Sequence, residues 1–277
     1  MARINLIAEL RKYKKGKGKK TLRISNRYPH RIEKCYEKQL VSIISKNDRR
    51  LRELVKGFIS ASTGGVTRDD VLAFIQARIN EMVRENLPTA VTTQLESTAS
   101  SIVVNRDKMT SEAIRKAIGV NLTLPYGDLS AKLAAWVEMN TGLITKLSTD
   151  HLTAIQEIIG RGFRGGVSVR ELAKEIAERT AMSKRRARLI ARDQIGTLNG
   201  QVTEERNTEL GIAKYIWRTM EDERVRGNPS GKYPRAKPSH FSFNGKIYTW
   251  KDGTGTKDKH PSYGIQCRCY AESIVEF

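Results

Sequence analysis

Lys214-Tyr215-Ile216-Trp217-Arg218-Thr219-Met220 marks the change in periodicity that decides the fold. Upstream, apolar residues recur at steps of three and four. Here Tyr215 and Trp217 fall on one face and Ile216 on the other, the alternation of a strand. Downstream, Phe241-Ser242-Phe243, Asn244-Gly245 and Ile247-Tyr248-Thr249-Trp250 read as a β-hairpin, because Asn-Gly supplies both positive-φ positions of a type I′ turn. Tyr270 to Phe277 is expected to close the sheet. The class that follows is α+β: a helix-rich N-terminal two thirds, then a small C-terminal mixed α/β module built on short antiparallel strands.

Working back from the strand, Lys184, Arg185, Arg186, Arg188 and Arg192 surround an apolar stripe of Ala187, Ile190, Ala191, Gln194, Ile195 and Leu198 on a helix opened by Ser183. Before it, Gly160-Arg161-Gly162-Phe163-Arg164-Gly165-Gly166 resembles a phosphate loop only in its glycines. No closing Lys-Ser/Thr and no preceding strand accompany them, and Ser168 with Glu171 forms a capping box, so a helix-turn-helix connection is expected. Ser148-Thr149-Asp150 reads as the cap of the helix Leu152 to about Ile159. Leu129, Leu133, Trp136, Val137, Leu143, Ile144 and Leu147 are candidate core. Further upstream, a stripe from Ile32 to Ile59 predicts an amphipathic helix broken near Asn47-Asp48. A loop at Ser62-Thr63-Gly64-Gly65 and a helix start at Thr67 with Asp69 and Asp70 follow. Pro88 ends or kinks that helix, and another runs to about Ala117. Long helices with few aromatics suggest assembly with other chains. In chain order the organisation is a basic, flexible arm over 1–31, a long-helix region over 32–124, and a C-terminal domain over 125–277 with helices in 129–211 and strands in 214–277.

Charge is the strongest compositional fact. The 277 residues carry 50 Lys and Arg against 30 Asp and Glu, a formal charge of +20, and residues 1–56 alone hold 18 basic and 5 acidic side chains. Lys12, Lys14, Lys15, Lys17, Lys19, Lys20, Arg23, Arg27 and Arg31 are expected to repel one another into extension and to need an anionic partner. Double-stranded DNA, bound non-specifically, is the usual one, since each neutralised phosphate releases a condensed counterion. A solvated tail is the plain alternative. Arg185 and Arg186 are added to the candidate DNA contacts. Apolar runs are too short to cross a bilayer, so no membrane partner is expected. No signal peptide is recognisable, and three cysteines suit a reducing compartment.

One series of residues follows the basic helix in fixed order: Trp217-Arg218-Thr219, Asp222-Glu223-Arg224-Val225-Arg226, His240, Asn244-Gly245, His260-Pro261 and Cys267-Arg268-Cys269. It resembles the C-terminal signature of the phage Mu protein F-like minor head proteins, the head-morphogenesis family of tailed bacteriophages. Arg188-Leu189-Ile190-Ala191-Arg192-Asp193-Gln194 resembles the helix that precedes that signature, with Asp193-Gln194 where the family usually has Thr-Glu. Residues 227–239 depart from the family as an insertion, read as a surface loop.

The resemblance implies a non-enzymatic virion protein inside the capsid near the portal, present in the host cytoplasm during assembly. Its partners would be the portal protein, the major capsid or scaffold protein, and packaged DNA. Two chemical readings of the same residues stand beside it. Cys267 and Cys269, two apart, share one side, and His240 and His260 could complete a tetrahedral structural zinc site; reduced structural cysteines and hydrogen-bonded histidines are the alternative. Asp222, His240 and His260 could instead serve a metal-dependent nuclease acting on phage DNA.

Overall fold

A computed structural model describes residues 5–61, 67–85, 89–165, 167 and 169–277. Among the described residues, six α-helices and four strands run in the order α1 (Leu6–Lys12), β1 (Thr21–Ser25), α2 (His30–Ala61), α3 (Arg68–Glu85), α4 (Thr89–Ile118), α5 (Ser130–Gly165), α6 (Val169–Glu209), β2 (Lys214–Arg218), β3 (Ile247–Thr249) and β4 (Tyr270–Glu276). The α+β class holds. The strands form one antiparallel sheet in the order β1-β4-β2-β3. The chain divides into two compact units: Met1–Glu33, Thr98–Leu133 and Arg192–Phe277 form the first, Lys34–Ser97 and Ala134–Ala191 the second. Neither is a continuous stretch, so the zones 1–31, 32–124 and 125–277 order the chain without delimiting packed bodies.

The first unit contains the sheet. At its start, the basic segment is not a free arm. Asn5 caps α1, its side chain accepting from the Ala8 N–H, and β1 pairs along β4 from Thr21 opposite Glu276 to Ser25 opposite Glu272. Charge dominates this segment's composition, but Leu6 and Leu10 at helical spacing, and Leu22 and Ile24 at strand spacing, bury into one cluster with Ile114, Leu210, Ile212, Val275 and Phe277. Lys15, Lys17, Lys19, Lys20, Arg23 and Arg27 stay exposed around that anchor, Lys14 is partly covered, and Lys12 pairs with Glu9 at 2.6 Å. Self-repulsion therefore acts on the loop and the strand's outer face, while burial holds the rest.

The turn from α6 into β2 is closed by glycine. Gly211 sits at φ +70°, its N–H donates to Thr208 O, and the Ile212 N–H donates to Asn207 O at 2.8 Å. This pair of reversed bonds satisfies the last helical carbonyls and needs a left-handed residue at Gly211. β2 then lies between β4 and β3, with Tyr215, Ile216 and Trp217 all buried.

The expected hairpin at Asn244-Gly245 does not form. Phe241–Phe243 is a 3-10 turn, and β3 pairs with β2 through Lys214 opposite Thr249. Asn244 (φ −54°, ψ 129°) and Gly245 (φ +80°) make a type II turn, closed from the Lys246 N–H to Phe243 O. The turn docks on β2: the Thr219 N–H donates to Asn244 Oδ1 at 3.0 Å and the Gly245 N–H to Trp217 O at 2.9 Å. Those bonds to another strand outweigh the local preference of the dipeptide.

In the second unit the helices are longer than their caps suggest. α2 passes unbroken through Asn47-Asp48, and the buried Asn47 side chain donates across to Ser148 Oγ at 2.8 Å. Ser148 is thereby an interior residue of α5, not a cap, and Ser183 lies inside α6. Gly160, Gly162 and Gly165 belong to α5; Gly166 and Ser168 lie outside the described residues, as do the Ser62–Gly65 loop and Pro88. At Gly162 a Cβ would meet the Leu172 side chain at 2.2 Å, so close packing of the chain against α6 accounts for that glycine. The helix start at Thr67 is as expected, with Thr67 and Asp70 bonded reciprocally. Leu51, Ile75, Ile79, Met82, Leu152, Ile155 and Ile159 form one buried cluster of this unit.

His151, fully buried on α5, bonds Ser183 Oγ through Nδ1 at 3.1 Å. Burial pushes its pKa down to about 4, with Asp48 opposing and Arg179 and Lys184 reinforcing. Above about pH 6.5 the imidazole is neutral both folded and unfolded, and its contribution to stability is constant. Between about 6.5 and 4 only the unfolded chain takes the proton, so stability falls by up to about 1.4 kcal/mol per pH unit. Below pH 4 that loss levels off. Denaturant titrations across this window are expected to show the slope, and His151→Gln to flatten it; an unchanged slope in the variant would assign it to other groups.

Candidate functional site: a clasp of histidine, two cysteines and an aspartate

The signature residues converge within the first unit. Trp217 on β2, wholly buried, makes T-shaped contacts with the rings of His240 (centroids 5.2 Å apart) and Phe243 (5.1 Å). Cys267 and Cys269 lie in the extended segment just before β4 and are buried beside it. Both sulfurs face one atom: Cys267 Sγ is 3.4 Å and Cys269 Sγ 3.6 Å from His240 Nδ1. The opposite ring nitrogen, Nε2, is 2.8 Å from Asp258 Oδ2, which also accepts from Arg226 at 2.7 Å. Arg226 reaches on to the Ile265 carbonyl at 2.6 Å. Arg268, pointing away from the cysteines, pairs with Asp222, whose other oxygen accepts from the Arg224 N–H. Arg224 itself is exposed.

The electrostatics follow from this geometry. Burial alone would push the His240 pKa down, but Cys267 and then Asp258 outweigh it and the pKa is raised. The hydrogen bond from Cys269, with His240 adding to it against burial, holds the Cys267 thiol well below its usual range. Cys269 is pushed up, first by burial and then by its neighbour. The two thiols thus differ sharply although they are two residues apart.

His260 does not join this cluster. Its Nδ1 lies 3.0 Å from the Tyr215 hydroxyl and its Nε2 3.5 Å from Glu204 on α6, and burial lowers its pKa. Among the described residues, the metal-ligand atoms that gather within 4.8 Å of one another are those of His240, Cys267 and Cys269. The four-residue set with His260 is corrected accordingly, and the nuclease triad of Asp222, His240 and His260 is not assembled: Asp222 is turned to Arg268. Pro261 serves the backbone instead. Gly200 of α6 approaches so closely that a Cβ there would stand 3.0 Å from Pro261 O, and one at Gly196 3.0 Å from Cys267 O.

The insertion explains itself in the same way. Gly227 N–H bonds Tyr233 O, and the Phe241 N–H donates to Arg226 O at 3.0 Å, so residues 227–239 leave and return at one point. His240 therefore keeps its place beside Arg226. Sequence reasoning missed Asp258, Glu204 and the Gly196/Gly200 pair, and read Asp193 only as a departure from the family's helix. Asp193 Oδ1 accepts from the Gln266 N–H at 2.7 Å, which ties the preceding helix to the cysteine segment. Two glycines four apart on a helix face were the available sign of a close approach.

Of the proposed DNA contacts on α6, Arg185 is exposed, whereas Arg186 donates to Asp150 at 2.8 Å. The neighbouring Arg188 pairs with Glu37 and Arg192 with Glu33. These partners offset part of the charge the helix would offer to phosphate. No helix among the described residues is long and apolar enough to cross a membrane.

A helix with two close-approach glycines, a small antiparallel sheet and a buried His-Cys-Cys clasp define the class of module. Residues 153–272, which contain all of these apart from β1 and most of β4, match the family described as Phage Mu protein F like protein, and over that region the chain is similar to that family. It is also 26% identical over 257 residues to a protein of Haemophilus influenzae named as uncharacterized, an alignment covering 85% of this chain and 55% of the relative. The chain thus spans about half the length of that curated relative. No solved structure matches it.

Proposed function

We propose that this protein is a minor head or head-morphogenesis protein of a tailed bacteriophage. The observation that carries the reading is the family match over residues 153–272, because the signature residues in that stretch hold one another in a single clasp. The protein acts without catalysis, inside the capsid near the portal, and contacts portal, major capsid or scaffold protein during assembly. Packaged DNA is met by the exposed lysines between α1 and β1 together with Arg23 and Arg27. A protein inventory of purified particles, with crosslinks to the portal, tests this; absence from the particle and from assembly intermediates would sink it. Cleavage of plasmid by the full chain with divalent metal, abolished in His240→Ala, would overturn the non-enzymatic part.

Replacing Lys14, Lys15, Lys17, Lys19 and Lys20 by glutamine leaves Leu6, Leu10, Leu22 and Ile24 to anchor the segment. Binding to duplex DNA is expected to fall with salt at a slope of roughly −0.9 per phosphate neutralised, and the variant to show a shallower slope. Salt-independent binding, or an unchanged slope, would refute this route to DNA.

A further inference from the structure

We propose that His240 Nδ1, Cys267 Sγ and Cys269 Sγ are ligands of one zinc ion, with Asp258 orienting the histidine from its far side. Zinc binds thiolate sulfur at about 2.3 Å and imidazole nitrogen at about 2.0–2.1 Å, so a tetrahedral S–Zn–N edge measures about 3.6 Å. The two sulfur-to-Nδ1 separations, 3.4 and 3.6 Å, are of that length. All three residues are buried, and the third pair of ligand atoms also lies within 4.8 Å. With Nδ1 on the metal, Nε2 must carry the proton, and it has its acceptor in Asp258 Oδ2 at 2.8 Å. Metal-bound histidines characteristically donate their second N–H to a carboxylate in this way.

The charges close as well. Two thiolates balance the divalent cation, and Arg226 balances Asp258 at 2.7 Å, so the buried site is neutral when filled. Thiolate donors select zinc over magnesium or calcium, which take oxygen ligands. The fourth position falls to water, since His260 lies outside the cluster with its Nδ1 engaged by the Tyr215 hydroxyl. The ion pins the start of the 3-10 turn to the segment entering β4, joining stretches of chain that the sheet's hydrogen bonds do not connect.

Metal analysis of the untagged full chain, grown with zinc and passed through a desalting column, is expected to find about one zinc per chain. Cys267→Ser and Cys269→Ser lose it, His260→Gln keeps it, and Asp258→Asn weakens affinity by roughly 10–100-fold. Cobalt substituted into the unmutated protein reports the ligands even where a variant fails to fold, through thiolate-to-cobalt charge-transfer bands and intense tetrahedral d–d bands. Zinc-free protein that stays folded, a cobalt spectrum without thiolate bands, a Cys267–Cys269 disulfide in the purified chain, or loss of zinc from a folded His260→Gln would each overturn the assignment.

Discussion

Trp217→Ala is expected to cost about 3–5 kcal/mol of stability, the range for removing a fully buried aromatic ring. The ring has no solvent exposure and packs in T-shaped contacts against both His240 and Phe243, with Tyr248 at 6.2 Å. Its removal leaves a cavity beside the clasp that the rigid central strand β2 cannot collapse into, since β2 is bonded on one side to β4 and on the other to β3. Denaturant unfolding followed by circular dichroism measures the loss, and Trp217→Phe should recover part of it. Thiol titration gives a second readout: Cys35 is exposed and reacts at once in either protein, while Cys267 and Cys269 become reactive in the folded state only when the ring is gone. A loss below about 1 kcal/mol would mean that the module repacks freely, against the close packing of protein interiors.

Arg106→Met is expected to cost about 2–4 kcal/mol, through unsatisfied partners rather than lost volume. The guanidinium is 1% exposed on α4 and donates to Asn26 Oδ1 at 2.8 Å and Asn199 Oδ1 at 2.7 Å. Burial lowers its pKa to about 10, with Asp107 partly opposing, so it remains charged at neutral pH. Asn26 is itself fixed, donating to Ser273 Oγ at 2.8 Å and through its backbone to Ala271 O. One side chain thus joins the end of β1, α4, α6 and β4. Methionine keeps most of the stem but strands two buried amide oxygens, and adding Asn199→Leu should restore part of the loss, because removing both partners costs less than removing one. Strictly additive losses would deny the coupling.

Where sequence reading failed, the failing residues show why. Lys257-Asp258-Lys259 looks like any solvated loop, and Asp258 acquires meaning only because folding brings His240 and Arg226, 18 and 32 positions away, onto its oxygen. His260, two residues past Asp258, was read as a fourth ligand beside His240 because residue type and order suggested it; burial against Tyr215 and Glu204 places it elsewhere. At the N-terminus the density of lysine masked Leu6, Leu10, Leu22 and Ile24, whose spacing was readable but whose partners were not. Asn244-Gly245 was correctly read as a turn and wrongly typed, since bonds from Trp217 and Thr219 settle which turn it makes.

Sequence by itself determined the helix-to-strand switch at Lys214, the α+β class, the positive charge of the chain and the shared side of Cys267 and Cys269, because periodicity, charge and spacing are local quantities. Tertiary structure alone decided that β1 pairs with β4, that His240 rather than His260 meets the cysteines, and that Asp258 and Arg226 stand behind it. Those outcomes depend on which groups far apart in the chain share one dry space, where each donor must find an acceptor and each charge its opposite.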